Sequence, residues 1–346
     1  MRSAYFAVPG DLAAPTGGYE YARRLLRALP ALLHVTLPAG FPNPSESDLA
    51  VTADLLAGLP SDSVVMVDGL AFGALPERCL APVRNAIVAL VHHPLCLEAG
   101  LSAEQATALR DSERRALTYA SRVIATSAST AAWLAEAFGV PASRLSVAEP
   151  GTERRMQALP TEGSIRLLSV GAVTPRKGYD VLVAALSGLA GQDWRLSIVG
   201  DLSRDPRCVA ALRDAIEESG VAGRITLEGA VDEGSLDAFY GTANVFVSAS
   251  LHEGYGMAVA SAMAHGLPLV ATDAGALADT VPRGASLPCR PGDMPGLRAA
   301  LARMLDDPAL RASCRKASWA GGQALPGWDQ TAARVAAVLE PLLSAS

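Results

Sequence analysis

Apolar and polar positions along this chain follow two alternating rhythms. Short apolar runs, AYFAV (4–8), HVTL (34–37), SVVMVDG (63–69), AIVALVHH (86–93) and RVIATS (122–127), end in small or polar residues. Apolar side chains at consecutive positions predict strands buried on both faces of a parallel sheet. Between them lie stretches with helical spacing at 18–29, 102–120 and 127–139, the last stopped by Gly139 and Val140-Pro141. The rhythm then restarts. RLLSVG (166–171), RLSIVG (195–200), ITLEG (225–229), VFVSAS (245–250) and LPLVATD (267–273) predict a second strand set, with helices at 178–190, 208–220 and 235–243 between them.

Two successive α/β halves imply two doubly wound, Rossmann-like domains facing each other across a cleft. The break falls in SVAEPGTERRMQALPTEGS, rich in Pro, Gly and charge, with a hinge near Pro150-Gly151. The expected domains are 1–150 and 151–330. A terminal segment, 331–346, carries a last helix over 331–343 that can pack back on the first domain.

Composition narrows the class. With 346 residues, half of them hydrophobic, the chain can bury two sizeable cores. A net charge of −6 argues against a broad nucleic-acid footprint. Five scattered cysteines without a C-x-x-C pair fit reduced thiols and argue against a zinc cage or disulfide framework. No apolar run reaches the roughly 18–20 residues of a spanning helix. The expected location is cytoplasmic. Arg23, Arg24 and Arg27 on one predicted helix leave peripheral contact with the inner membrane face open.

Ligands of doubly wound sheets sit beyond the C-terminal strand ends, and five segments fall there. PGDLAAPTGGYE brings Gly17-Gly18 to a helix start, where amides can meet an anion; the spacing is not G-x-G-x-x-G. LVHHPL places His92 and His93 at a strand end, suited to a substrate hydroxyl. SVGAVTPRKG ends a strand at Gly171 and opens a helix with Arg176 and Lys177. Two cations oppose the helix dipole there, and an anion held between them would offset that. HEGYGMAVAS sets Glu253 before Gly254, Tyr255, Gly256 and Met257, whose amides can again face an anion. Glu253 is then an acceptor for sugar hydroxyls rather than a phosphate ligand. ATDAGALADTV supplies a further helix start, with Asp279 in its first turn.

SVGAVTPRKGYDVLVAAL, the stretch RITLEGAVDEG through GALADTV, and VAEPGTE, in that arrangement, resemble the retaining glycosyltransferases of the GT-B fold, family 4. The likeness is nearly continuous over the second half and weaker over the first, where Gly17-Gly18 and the His-His strand end agree. The resemblance implies a nucleotide-diphosphate sugar, a UDP- or GDP-sugar, as donor co-substrate, with no other cofactor and no metal. It implies that Arg176 and Lys177 neutralise the diphosphate leaving group and that Glu253 contacts the transferred sugar. His92 would lie near the anomeric centre, and Gly17, Gly18, Gly171 and residues 254–257 would line the donor site. The acceptor class is open: a glycan, a lipid-linked or a small-molecule hydroxyl.

One position departs from the family pattern. Where the family carries a second glutamate that grips the donor ribose, this chain has Ser261. Losing a charge-assisted hydrogen bond there would cost about 1.5–3 kcal/mol. Ser261 therefore keeps a second reading alive, a catalytically silent sugar-nucleotide-binding subunit. An epimerase or phosphorylase on the same scaffold would want an acid/base constellation or cofactor lysine that the sequence does not display.

Overall fold

The computed structural model describes residues 3–159 and 162–344. The chain forms two compact units, Met1–Gly151 with Pro326–Ser346, and Thr152–Leu325. Residues 326–330, placed with the second domain by the sequence reading, thus belong with the first. No helix among the described residues is long and apolar enough to cross a membrane.

The first unit is built on β1 (Ala4–Pro9), β2 (Leu32–Leu37), β3 (Val64–Asp68), β4 (Ala86–Val91), β5 (Arg122–Ala125) and β6 (Leu145–Val147). They form one parallel sheet in the order β2-β1-β3-β4-β5-β6. Strand β4 shows why the apolar runs are continuous. Ile87, Ala89 and Val91 pack into one core, while Val88 and Leu90 pack into the core on the opposite face. His92 and His93 lie just beyond this strand rather than in it. The terminal helix, Trp328–Ser344, starts earlier than its apolar spacing predicted. It buries Ala332, Val335 and Leu339 in the same core as Phe6 and Leu90, so it completes the first unit.

The second unit carries β7 (Ile165–Val170), β8 (Trp194–Val199), β9 (Ile225–Gly229), β10 (Val245–Ser248), β11 (Leu269–Thr272) and β12 (Ser286–Cys289). The order β12-β11-β10-β7-β8-β9 is that of a Rossmann sheet. Its direction of winding reverses between β7 and β10. In the first unit the reversal lies between β1 and β3. These two reversals fix where the chemistry-bearing loops gather.

Several elements were absent from the sequence reading. Strands β6 and β12 are short edge strands. Helix Glu46–Ala57 is opened by a Ser45–Asp48 capping box. Helices Met294–Asp306 and Pro308–Ala324 follow Asp293 and Asp307 caps, each with proline in its first turn.

Candidate functional site

At the switch point of the second unit, β7 ends at Val170 and the chain turns at Gly171. A 3-10 turn, Pro175–Lys177, then precedes helix Tyr179–Ser187. Arg176 and Lys177 therefore stand just before the helix, not within it. A Cβ at Gly171 would lie 2.5 Å from Lys177 Cε, so glycine is what lets the lysine stem cross this strand end. Gly178 adopts φ 61°, and a Cβ there would collide with the Ala249 carbonyl oxygen. The loop after β7 thus lies tight against the loop after β10. The Leu251 N–H completes that seam, donating to the Arg176 carbonyl at 2.7 Å.

The two loops exchange charge as well as packing. Lys177 Nζ donates to Glu253 Oε1 at 2.7 Å, and Arg176 Nη1 lies 3.1 Å from Oε2. Arg176 Nη1 also donates to the His252 carbonyl at 2.8 Å, and the Ser250 hydroxyl donates to Glu253 Oε1 at 2.7 Å. Glu253 is only 8% exposed. Burial alone would push its carboxyl upward. The Lys177 and Arg176 charges, with hydrogen bonds from Lys177 and Ser250, overcome this and hold it well below the usual carboxylate range. The sequence reading had the cations holding an anion and Glu253 beside that anion, as an acceptor for sugar hydroxyls. The structure joins them: Glu253 is itself an anionic partner of both cations.

Helix Met257–Ala264 begins at Gly256, whose φ of 91° only glycine adopts readily. Glu253 does not cap this helix, and a glycine cap brings no side-chain oxygen to its first turn. First-turn amides of such an end are suited to an external anion. The Glu253 carbonyl accepts the Ala276 N–H at 2.9 Å, and the Thr280 hydroxyl donates to the carbonyl of the buried Tyr255 at 3.3 Å, which ties helix Leu277–Thr280 to this loop. Ser261 is half-buried on helix Met257–Ala264. Its side chain lies near the phenol of Tyr240, which donates to the Ala258 carbonyl at 3.1 Å. Tyr240 in turn stacks on His265, with ring centroids 5.1 Å apart. Position 261 thus faces an aromatic pair that sequence reasoning did not connect with it.

In the first unit, helix Gly17–Ala28 starts with Gly17 and Gly18, capped by the Thr16 hydroxyl. A Cβ on Gly18 would lie 3.6 Å from the His92 ring, so the glycine pair and the histidine are neighbours. His92 Nε2 is 3.0 Å from Asp68 Oδ2, at the end of β3. Asp68 was not singled out from the sequence, although a buried carboxylate closing an apolar strand was a readable signal. His93 turns instead to Glu98, at 3.1 Å. The arginines that left membrane contact open are partly engaged: Arg23 and Arg24 both pair with Glu20 at 2.6 Å. Arg23 also donates to the carbonyls of Leu12 and Ala14, bracing the loop before Gly17. Among the described residues no three His, Cys, Asp or Glu side chains gather as a metal-ligand set.

Two doubly wound parallel units, one with a cation pair and carboxylate at its switch point, define the class as GT-B. Residues 164–307 match the family of glycosyl transferases group 1. The chain is 27% identical over 331 residues to an MMP alpha-(1->4)-mannosyltransferase of Mycolicibacterium hassiacum, covering 90% of this chain and 78% of that one. The sucrose-phosphate synthase of Thermosynechococcus elongatus superposes with a TM-score of 0.84 at 23% identity, over all of both chains. Anabaena HepE, in complex with UDP-glucose, gives 0.77 at 17% identity, over 97% of this chain and 99% of that one. The match over residues 164–307, the mannosyltransferase relative and the structural neighbours together support a GT-B glycosyltransferase of the group 1 type.

Proposed function

We propose that the protein is a retaining glycosyltransferase. It transfers a sugar from a nucleotide-diphosphate donor to an acceptor hydroxyl, without a metal ion. The observation that carries this reading is the Arg176–Lys177–Glu253 cluster at the β7/β10 switch point. Cleavage of the bond between the anomeric carbon and phosphate leaves charge on the leaving group. Preorganised cations and helix-start amides aimed at that charge are the largest catalytic contribution such a site can make. When a diphosphate takes Lys177 and Arg176, Glu253 is released to accept hydrogen bonds from the sugar hydroxyls.

Retention is inferred from the family resemblance, which also suggests front-face attack with a donor phosphate oxygen assisting acceptor deprotonation. The family resemblance implies a UDP- or GDP-sugar as donor, and Anabaena HepE, similar in fold, is a complex with UDP-glucose. His92 and the Gly17-Gly18 helix start serve the acceptor and the reacting sugar. The second reading, a silent nucleotide-sugar-binding subunit, rests on Ser261 alone.

The test is turnover of UDP-glucose and GDP-mannose by purified protein across a panel of acceptors, with Lys177→Ala alongside. Turnover by the wild type, reduced at least a hundredfold in the variant, supports transfer. Near-normal variant kinetics would remove Lys177 from the mechanism. Nucleotide binding without turnover would favour the silent subunit.

A further inference from the structure

Strands β3 and β4 pair with Asp68 opposite Leu90, so His92 lies two residues beyond the partner of Asp68. Side chains that far along a strand pair share a face. Asp68 is 3% exposed, and both of its oxygens are engaged. Oδ1 accepts the Leu70 N–H at 2.9 Å, and Oδ2 lies 3.0 Å from His92 Nε2. Tyr21 meets the imidazole edge-on, with centroids 5.4 Å apart, and the Thr126 hydroxyl donates to the His92 backbone carbonyl at 2.9 Å, fixing the residue's main chain. A fifth of the His92 side chain, 21%, stays exposed.

We propose that Asp68 is a positioning residue that fixes His92 in the Nε2–H tautomer, leaving Nδ1 as the acceptor that meets the ligand. A carboxylate only accepts, so the nitrogen facing it must carry the proton. In the neutral form of the ring the lone pair then lies on Nδ1. Such a nitrogen recognises a hydroxyl that donates, as a sugar or an alcohol acceptor provides, and it rejects a bare phosphate oxygen. Gly18 lies against the Nε2–Cδ2 edge of the ring, the edge opposite Nδ1, so a hydroxyl bound at Nδ1 approaches from the side away from that helix start. The role of His92 toward a sugar or acceptor hydroxyl rests on the transferase reading; the tautomer does not.

The test is a long-range proton–nitrogen correlation spectrum of the full-length protein with labelled histidine, His92 being assigned by His92→Asn. The wild type is expected to show the Nε2–H pattern. In Asp68→Asn the new amide keeps an oxygen for the Leu70 N–H and turns its NH2 toward the ring, which moves the proton to Nδ1. Turnover of a nucleotide sugar should fall at least tenfold in that variant, while the thermal shift produced by UDP, read in the second unit, stays unchanged. A wild-type Nδ1–H pattern, or an unaltered His92 spectrum in Asp68→Asn, overturns the proposal, and the wild-type spectrum decides even if the variant does not fold. Failure of the wild type to turn over any donor would instead overturn the transferase reading and leave the tautomer result standing.

Discussion

Replacing Glu253 with glutamine removes one charge from a cluster of three. The side chains of Lys177, Arg176 and Glu253 are 15%, 20% and 10% exposed, so the cations left behind are largely desolvated. Breaking a buried ion pair on one side typically costs 3–5 kcal/mol, because the remaining charge has no compensation. Residual solvent access places this cluster at the low end, about 3 kcal/mol. In a unit the size of Thr152–Leu325, each kcal/mol moves the melting temperature by about 2–4 °C, which gives a drop of about 6–12 °C for the ligand-free variant. The same change frees Lys177 and Arg176 for another anion. UDP should therefore raise the melting temperature of Glu253→Gln by more than it raises that of the wild type, while donor turnover is lost. Differential scanning fluorimetry with and without UDP measures both effects. A ligand-free melting point within 2 °C of the wild type would show that the carboxylate does not hold the cations. A smaller UDP response would show that they are not the diphosphate site.

Two further outcomes follow from single side chains. Glu113 is buried beside Gly73 and accepts the Leu95 N–H at 2.8 Å; burial pushes its carboxyl up to about 8, the Leu95 bond opposing only in part. The folded protein thus holds this proton more tightly than the unfolded chain. The stability it contributes is full below about pH 4.5 and is lost as pH rises to about 8, by up to about 1.4 kcal/mol per pH unit. Urea midpoints at pH 5, 7 and 9 should fall less for Glu113→Gln than for the wild type, and parallel curves would refute the assignment. Ser261→Glu should tighten UDP binding by about ten- to a hundredfold if position 261 faces the nucleotide; an unchanged calorimetric affinity would place the nucleoside elsewhere.

The central strands were legible because burial on both faces leaves no polar alternation to misread, as the β4 run from Ile87 to Val91 shows. Strands β6 and β12 were not, since edge strands of three and four residues carry little apolar signal, and β12 contains Pro288. The helices after Asp293 and Asp307 carried clear start signals, N-cap aspartate with early proline, but lie away from the strand ends that drew attention. The candidate site divides along the same line. Glycine, cation and carboxylate positions were readable from local context, because each sits where a strand gives way to a helix. Their partners were not, because Lys177 and Glu253 are 76 residues apart in sequence and meet only through the β7–β10 pairing. That pairing also changes what the carboxylate means. Next to a diphosphate, Glu253 would be a like charge at a cost; beside Lys177 and Arg176 it is the counter-ion that lets two cations stay desolvated. On the transferase reading, the same side chain exchanges ammonium and guanidinium partners for sugar hydroxyls as the donor arrives. A neutral residue at 253 could accept from the sugar but could not balance the two cations, so the chemistry and the fold select glutamate together.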